Sequence, residues 1–201
     1  GGQDEGMRRT LLFVLALIAS GCVEPPIPRN LDDLSMQGPQ YLDPETLEPY
    51  SGPAYRMSED DSTQIVLRVN LRDGRFHGDF EDFAPEAVEG GLGLYQTGTY
   101  RDGQREGRYE VFYPSGVLRG HGIYENDELN GPYESHYENG QLWEKSTYVA
   151  GEPDGPFESH HENGQLEQRG TANMGQKCGE WIEDGETVTF DPCPPGLEDG
   201  N

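Results

Sequence analysis

"GPYESHYENGQL" (residues 131–142) and "GPFESHHENGQL" (residues 155–166) are one phrase written twice, 24 residues apart, differing only at Tyr133/Phe157 and Tyr137/His161. Outward from this pair, a glycine followed two residues later by an aromatic recurs at Gly107/Tyr109, Gly131/Tyr133, Gly155/Phe157 and Gly179/Trp181, always 24 residues apart. An earlier copy, Gly78/Phe80, precedes Gly107 by 29 residues, the excess being a five-residue insertion around "APEAVEGG". "YSGPAYRM" (residues 50–57) has the outline of a degenerate first unit. Other columns keep the phase. "PSG" at 114–116 matches "ENG" at 138–140 and 162–164, and Leu118, Leu142 and Leu166 follow them. Tyr100, Tyr124 and Tyr148 form a further column that ends in Ala172; Gly103, Gly151 and Gly175 form another, with Asp127 in its gap. A short fixed period marks a repeat architecture in which each unit buries its apolar side against its neighbours.

Each unit predicts a β-hairpin. "PYESHY" sets Tyr133, Ser135 and Tyr137 on one face and Glu134 and His136 on the other, the period-2 pattern of a half-buried strand. "ENG" supplies an asparagine tolerant of positive φ and then a glycine, and Gly131 and Gly155 punctuate the units in the same way. The return strand "QLWEKSTYV" puts Leu142 and Tyr148 in phase, with Trp143 and Val149 opposite. A helical reading fails because glycine or Asn-Gly interrupts every ten to twelve residues. The expected fold class is all-β: tandem antiparallel hairpins, five to six units over residues 50–193, in an elongated, twisted, single-layer meander sheet. "CGEWIEDGETVTFDPC" (residues 178–193) reads as a last hairpin turning at Asp184-Gly185, stapled by its two cysteines over an otherwise open edge. Residues 194–201 are expected to be a disordered tail.

The pattern G-x-aromatic-x-x-x-Tyr-x-Asn-Gly-x-Leu, continued by phased tyrosine and glycine, resembles bacterial MORN-repeat variants, including those of the YwqK antitoxin family. The resemblance runs from Gly78 to Trp181 and fades over residues 50–78; Ala172, His161 and the truncated last unit depart from the pattern. It implies a hairpin array with a binding or scaffold role and no defined chemistry. It also implies, as an alternative, an antitoxin that neutralises a toxin partner, a cytoplasmic task at odds with the export signal described next.

Residues 1–6 read as an upstream extension before a start at Met7. Arg8 and Arg9 precede the apolar run Leu11 to Ala19, too short for a permanent membrane span, and small residues lead to Cys22. "ASGC" (residues 19–22) resembles a bacterial lipobox with alanine where leucine is usual, which makes Cys22 the lipidated first residue; acyl chains then anchor the protein. Val23, in the position where aspartate accompanies inner-membrane retention, points by the same resemblance to the outer membrane. Residues 23–49 hold six prolines among acids and read as an extended tether. In an oxidising envelope compartment the two remaining cysteines, Cys178 and Cys193, are expected to form a disulfide.

The net charge of −24 disfavours nucleic acid and anionic headgroups. Five histidines include the equivalent pair His136 and His160, but equivalent strands of successive hairpins lie about 9.6 Å apart, too far for shared zinc ligation. Carboxylates are too numerous to single out a catalytic pair, and "GGLG" (residues 90–93) lacks the following helix of a phosphate loop. No enzyme, cofactor or metal site is expected. The aromatic columns Phe80/Tyr109/Tyr133/Phe157/Trp181, Tyr100/Tyr124/Tyr148 and Tyr113/Tyr137 serve either as a stacking platform or as the sheet's own apolar layer. The sequence thus predicts a non-catalytic, lipid-anchored envelope protein whose array binds a protein partner, a cell-wall glycan being the alternative ligand.

Overall fold

A computed structural model of the chain describes residues 26–88 and 91–197, so the export segment with Cys22 and the last four residues lie outside the described residues. Sixteen strands follow one another: β1 (Arg29–Asn30), β2 (Ser35–Gln37), β3 (Gln40–Leu42), β4 (Gly52–Met57), β5 (Ile65–Arg72), β6 (Arg75–Val88), β7 (Gly91–Arg101), β8 (Gln104–Phe112), β9 (Leu118–Glu125), β10 (Glu128–Leu129), β11 (Gly131–His136), β12 (Leu142–Val149), β13 (Glu152–His160), β14 (Leu166–Asn173), β15 (Gln176–Glu183) and β16 (Glu186–Thr189). From β4 to β16 they pair antiparallel in sequence order, the two-residue β10 hanging off β9. This is the meander the repeat predicts. At about 4.8 Å per strand the sheet runs for roughly 58 Å across its strands. The insertion before Gly91 lengthens β6 and β7.

Two kinds of turn alternate. At one end of the hairpins Asp73-Gly74, Asp102-Gly103, Asn126-Asp127, Ala150-Gly151 and Met174-Gly175 all have positive φ at both positions, the type I′ geometry that matches strand twist, and Asp184-Gly185 repeats it at the opposite end in the last hairpin. At the other end, Tyr137 N–H donates to Gln141 O and Gly140 N–H donates to Tyr137 O, both at 2.8 Å. There only the glycine is left-handed, Gly140 at φ 83° and Gly164 at φ 82°. Asn139 and Asn163, expected to share that conformation, instead accept through Oδ1 from the N–H of Gln141 and Gln165, each at 2.9 Å. Gly131 and Gly155 are also not turn residues. They sit in the strands with φ 123° and 117°, Gly155 where the β12–β13 register slips between Ser146 and Tyr148. The glycine of each Gly-x-aromatic element therefore supplies a backbone kink that sets the aromatic.

The segment expected as a tether is folded from residue 29. β1 pairs in parallel with β4, and Leu31–Asp33 form a 3₁₀ turn capped by Asn30, whose Oδ1 accepts from Asp32 N–H. The hairpin β2–β3 follows. Leu31 and Leu34 are buried against Ala54, Val69, Leu71 and Phe80, and Tyr41 stacks on Phe76 at 5.6 Å. The physical reason is that the first units have no preceding repeat to cover their apolar side. Residues 29–42 supply the cover, with Pro39 confined to the connection between β2 and β3.

The other end is closed differently. Cys178 of β15 is joined to Cys193 by a disulfide. Beyond β16 the chain returns so that Phe190 N–H donates to Gly179 O and Gly179 N–H donates to Asp191 O. Residues 194–197, expected as disordered tail, close a turn through Leu197 N–H and Pro194 O at 3.3 Å.

Candidate binding surface

The register assigns every side chain to one of two faces. On one, a cross-strand row runs Ala54–Val69–Phe80–Gly98–Tyr109–Gly122, and a second runs Tyr133–Ser146–Phe157–Gly170. Large and small residues alternate, and the small ones, Gly98, Gly122, Ser146 and Gly170, recur every 24 residues, a column the sequence reading missed. Each ring roofs the small residue beside it: a Cβ on Gly98 would meet Phe80 at 3.1 Å and Tyr109 at 3.2 Å, and one on Gly170 would fall 2.3 Å from Trp181. The tyrosine column fills the next layer, Phe80–Tyr100 at 4.8 Å, Tyr109–Tyr124 at 5.1 Å and Tyr133–Tyr148 at 5.5 Å between ring centroids. Phe157, whose column partner is Ala172, packs on Trp181 at 5.6 Å instead. Burial pushes the Tyr109 and Tyr148 phenols up to about 12, with Glu144 adding to the effect at Tyr148. These columns are the sheet's own apolar layer.

Tyr113 and Tyr137 join successive units. Their hydroxyls donate to the backbone oxygens of His136 and His160, at 2.9 and 2.8 Å. His161, the third member, has Nε2 2.9 Å from Asp184 Oδ1. The exchange of tyrosine for histidine thus coincides with an exchange of backbone for side-chain acceptor at the last hairpin.

The aromatics that reach solvent belong to a different column. Register slips at Asp82/Phe83, Val111/Phe112, Ser135/His136 and Ser159/His160 leave Tyr95, Arg119, Trp143 and Glu167 as bulge residues with no cross-strand partner. They are spaced by 24 residues, along the edge formed by the "PSG" and "ENG" turns. Tyr95 is 40% and Trp143 39% exposed. A bulge re-aims side chains, and this is why the expected phase fails here: Leu142 pairs with His136, while Glu144, Ser146 and Tyr148 share a face. Their contacts are direct, since Ser146 Oγ donates to Glu144 Oε1 at 2.6 Å and the Tyr148 hydroxyl at 3.3 Å. Trp143 packs on Tyr137 at 6.0 Å, and the Arg119 guanidinium lies 5.8 Å from the Tyr113 ring centroid. Arg and Trp are the residues over-represented among interface hot spots.

The opposite face carries a charged ladder. Arg68, Glu81, Thr97, Glu110, His121, Glu134, Lys145, Glu158 and Arg169 are consecutive register partners from β5 to β14. Opposite charges adjoin, as at Lys145–Glu134 (2.7 Å) and Arg68–Glu81 (3.1 Å), while the buried Nδ1 atoms of His121, His136 and His160 have no hydrogen-bond partner among the described residues. A shallow groove of about 340 Å³ opens between Arg108, His121, Ile123 and Glu134. His160 Nε2 is 3.3 Å from Glu158 Oε1, and among the described residues no three His, Cys, Asp or Glu side chains converge on a metal position.

Residues 105–126, 129–150 and 153–173 each match the family model described as MORN repeat variant. The three matches coincide with the hairpins β8–β9, β11–β12 and β13–β14. No curated protein matches the chain. The β6–β7 and β15–β16 hairpins lie outside the matched segments yet keep the same sheet order. MORN repeats are as a rule non-catalytic binding modules, and the three matched hairpins suggest a repeat-based binding or scaffold module.

Proposed function

We propose that this chain is a lipid-anchored protein-binding module of the cell envelope, tethered through Cys22, whose partner docks on the bulge column Tyr95–Arg119–Trp143. The single observation that carries the reading is that column. The other aromatic columns are consumed by ring packing and by hydroxyl bonds between units, whereas Tyr95 and Trp143 remain open, four strand spacings or about 19 Å apart. The charged face favours binding less, because its charges are paired along the ladder. A net charge of −24 selects a partner with a basic surface.

The test is site-resolved photo-crosslinking in the native cells, with the crosslinker at residues 95, 119 and 143, and at 110, 145 and 169 on the charged face. Protein adducts from the first set are expected. Adducts from the second set alone would overturn the reading, and peptidoglycan adducts would replace it with glycan binding. Anchoring is tested separately: metabolic palmitate label is expected to vanish in Cys22→Ala, and label that persists refutes the anchor.

A further inference from the structure

The middle of the bulge column is an open aromatic corner. The Trp143 and Tyr137 rings are 6.0 Å apart and inclined at 45°, and Trp143 is 39% exposed. The Tyr137 hydroxyl is already committed to His160 O, so the corner offers ring faces rather than a polar group. Glu167 and Glu162 stand close enough to reinforce the upward push that burial gives the Tyr137 phenol.

The preceding unit shows what such a corner accepts. There the same two positions are Tyr113 and Arg119, and the guanidinium of Arg119 lies 5.8 Å from the Tyr113 ring centroid. The chain covers other rings the same way: Arg105 sits 4.1 Å from the Tyr124 centroid, and Lys177 4.5 Å from that of Trp181. Among the described residues no cation is recorded over Tyr137 or Trp143. Lys145, two residues from Trp143, is held 2.7 Å from Glu134 on the opposite face. Replacement of arginine by tryptophan at 143 therefore removes an internal cation and adds a second ring, next to two carboxylates. The following unit is closed again, by His161 and Asp184.

We propose that the Tyr137–Trp143 corner, flanked by Glu162 and Glu167, receives a lysine or arginine side chain of the partner protein. This rests on the reading of the bulge column, the rim of the sheet, as the docking site and specifies its chemistry. A cation within about 6 Å of a ring centroid is attracted by the ring quadrupole, most strongly by tryptophan. Glu162 and Glu167 add electrostatic attraction, Glu167 Oε2 already accepting from Ser159 Oγ at 3.1 Å, and the acidic chain draws basic segments from solution.

The probe is a ten-residue peptide of alternating arginine and serine, titrated at low ionic strength into the ¹⁵N-labelled full chain, with a glutamate–serine peptide as counterpart. The two indole N–H signals separate the site from the core, because Trp143 is exposed while Trp181 is buried at 2%. The arginine peptide is expected to shift Trp143 alone. Trp143→Arg, which reproduces the Tyr113–Arg119 arrangement, should weaken binding roughly 2- to 30-fold, the range of one cation–π contact. Val149→Arg adds the same charge away from the corner and should change affinity less than 2-fold. An unshifted Trp181 signal certifies the fold of each variant. Equal binding of the two peptides, or equal loss in Trp143→Arg and Val149→Arg, would overturn the proposal. Crosslinks that persist at residue 143 despite such a result would retain the rim and discard the cation. Loss of all rim crosslinks would remove the rim itself.

Discussion

Gly170→Ala tests whether ring-over-glycine packing holds the sheet. Gly170 has no positive φ, so the backbone accepts alanine and the effect is steric. The added Cβ would fall 2.3 Å from Trp181 Cδ2 and 2.5 Å from both Cε2 and Cγ, against an optimum carbon separation of about 3.5–4.0 Å. The ring must retreat by more than 1 Å in order of magnitude, and it has no room. It is 2% exposed, its Nε1 donates to Thr171 O at 3.0 Å and Cys178 O at 3.1 Å, and Phe157 and Lys177 flank it. Overpacking costs about 1–3 kcal/mol and a lost indole hydrogen bond about 1 kcal/mol. Alanine returns about 0.5–1 kcal/mol of backbone entropy, leaving a net loss of about 2 kcal/mol. Gly120→Ala is the graded comparison: its Cβ would meet Glu134 O at 3.2 Å and Ser135 Cβ at 3.4 Å, a tight but far milder contact, and a clearly smaller loss than for Gly170→Ala is expected. Urea denaturation with the disulfide intact, followed by far-ultraviolet circular dichroism, measures both. Repeating Gly170→Ala in a Trp181→Ala background isolates the pair, and there the cost should fall below about 0.5 kcal/mol. The same cost in both backgrounds would refute the packing argument.

Four further outcomes follow from the same geometry. Ala150 occupies the first position of a type I′ turn at φ 49°, so Ala150→Asn should stabilise by about 1 kcal/mol in denaturant titration, with no change in the dichroism of the native state. Tyr137→Phe deletes the donor to His160 O and should cost about 1 kcal/mol in the same titration, whereas His161→Phe breaks only an exposed pair and should cost less than about 0.5 kcal/mol. Reducing Cys178–Cys193, which spans 15 residues, should lower stability by about 3 kcal/mol in the chain-entropy account and expose Trp181 to acrylamide quenching before Trp143 changes. Tyr109 and Tyr148 have their phenols raised from 10.0 to about 12, so both are neutral in folded and unfolded chain below pH 10, and above it the unfolded chain ionises first. Stability should therefore fall as pH rises from 10 toward 12, and Tyr109→Phe with Tyr148→Phe should flatten the fall; an unchanged slope would contradict the burial.

How much of this was legible depended on whether register was needed. The 24-residue phase of Gly131/Gly155 and the turn triplets reveals hairpins directly, because turn residues and strand alternation are local. The aromatic layer was legible as a column, but its small counterpart at Gly98, Gly122, Ser146 and Gly170 is meaningful only once each lies beside a ring. Trp143 was assigned to the wrong side because period-2 counting carries no record of the extra residue that slips the register at Ser135/His136. Residues 29–42 were misjudged for another reason. Strands of two or three residues are too short to show periodicity, and Leu31 and Leu34 are buried by an apolar face brought to them through tertiary structure.

A single-layer sheet must hide its apolar side without a second layer, and the alternation of rings with small residues is how this one does so: each unit roofs its neighbour's glycine or serine. That rule works only where there is a next unit, so both ends need something else. Leu31 and Leu34 cover the first strands, and Phe190 with the Cys178–Cys193 disulfide closes around Trp181 at the last. The hydroxyl staples obey the same logic, running from Tyr113 and Tyr137 to the next unit and giving way to a histidine–aspartate contact at His161. The strand glycines and turn triplets shared by the two quoted phrases serve this self-coverage, whereas the buried Nδ1 atoms of His136 and His160 find no hydrogen-bond partner among the described residues. What also lies outside it is the bulge column, where the identical phrases are followed by Trp143 in one unit and Glu167 in the next. The repeated text builds the sheet, and recognition falls to the positions where the repeats differ.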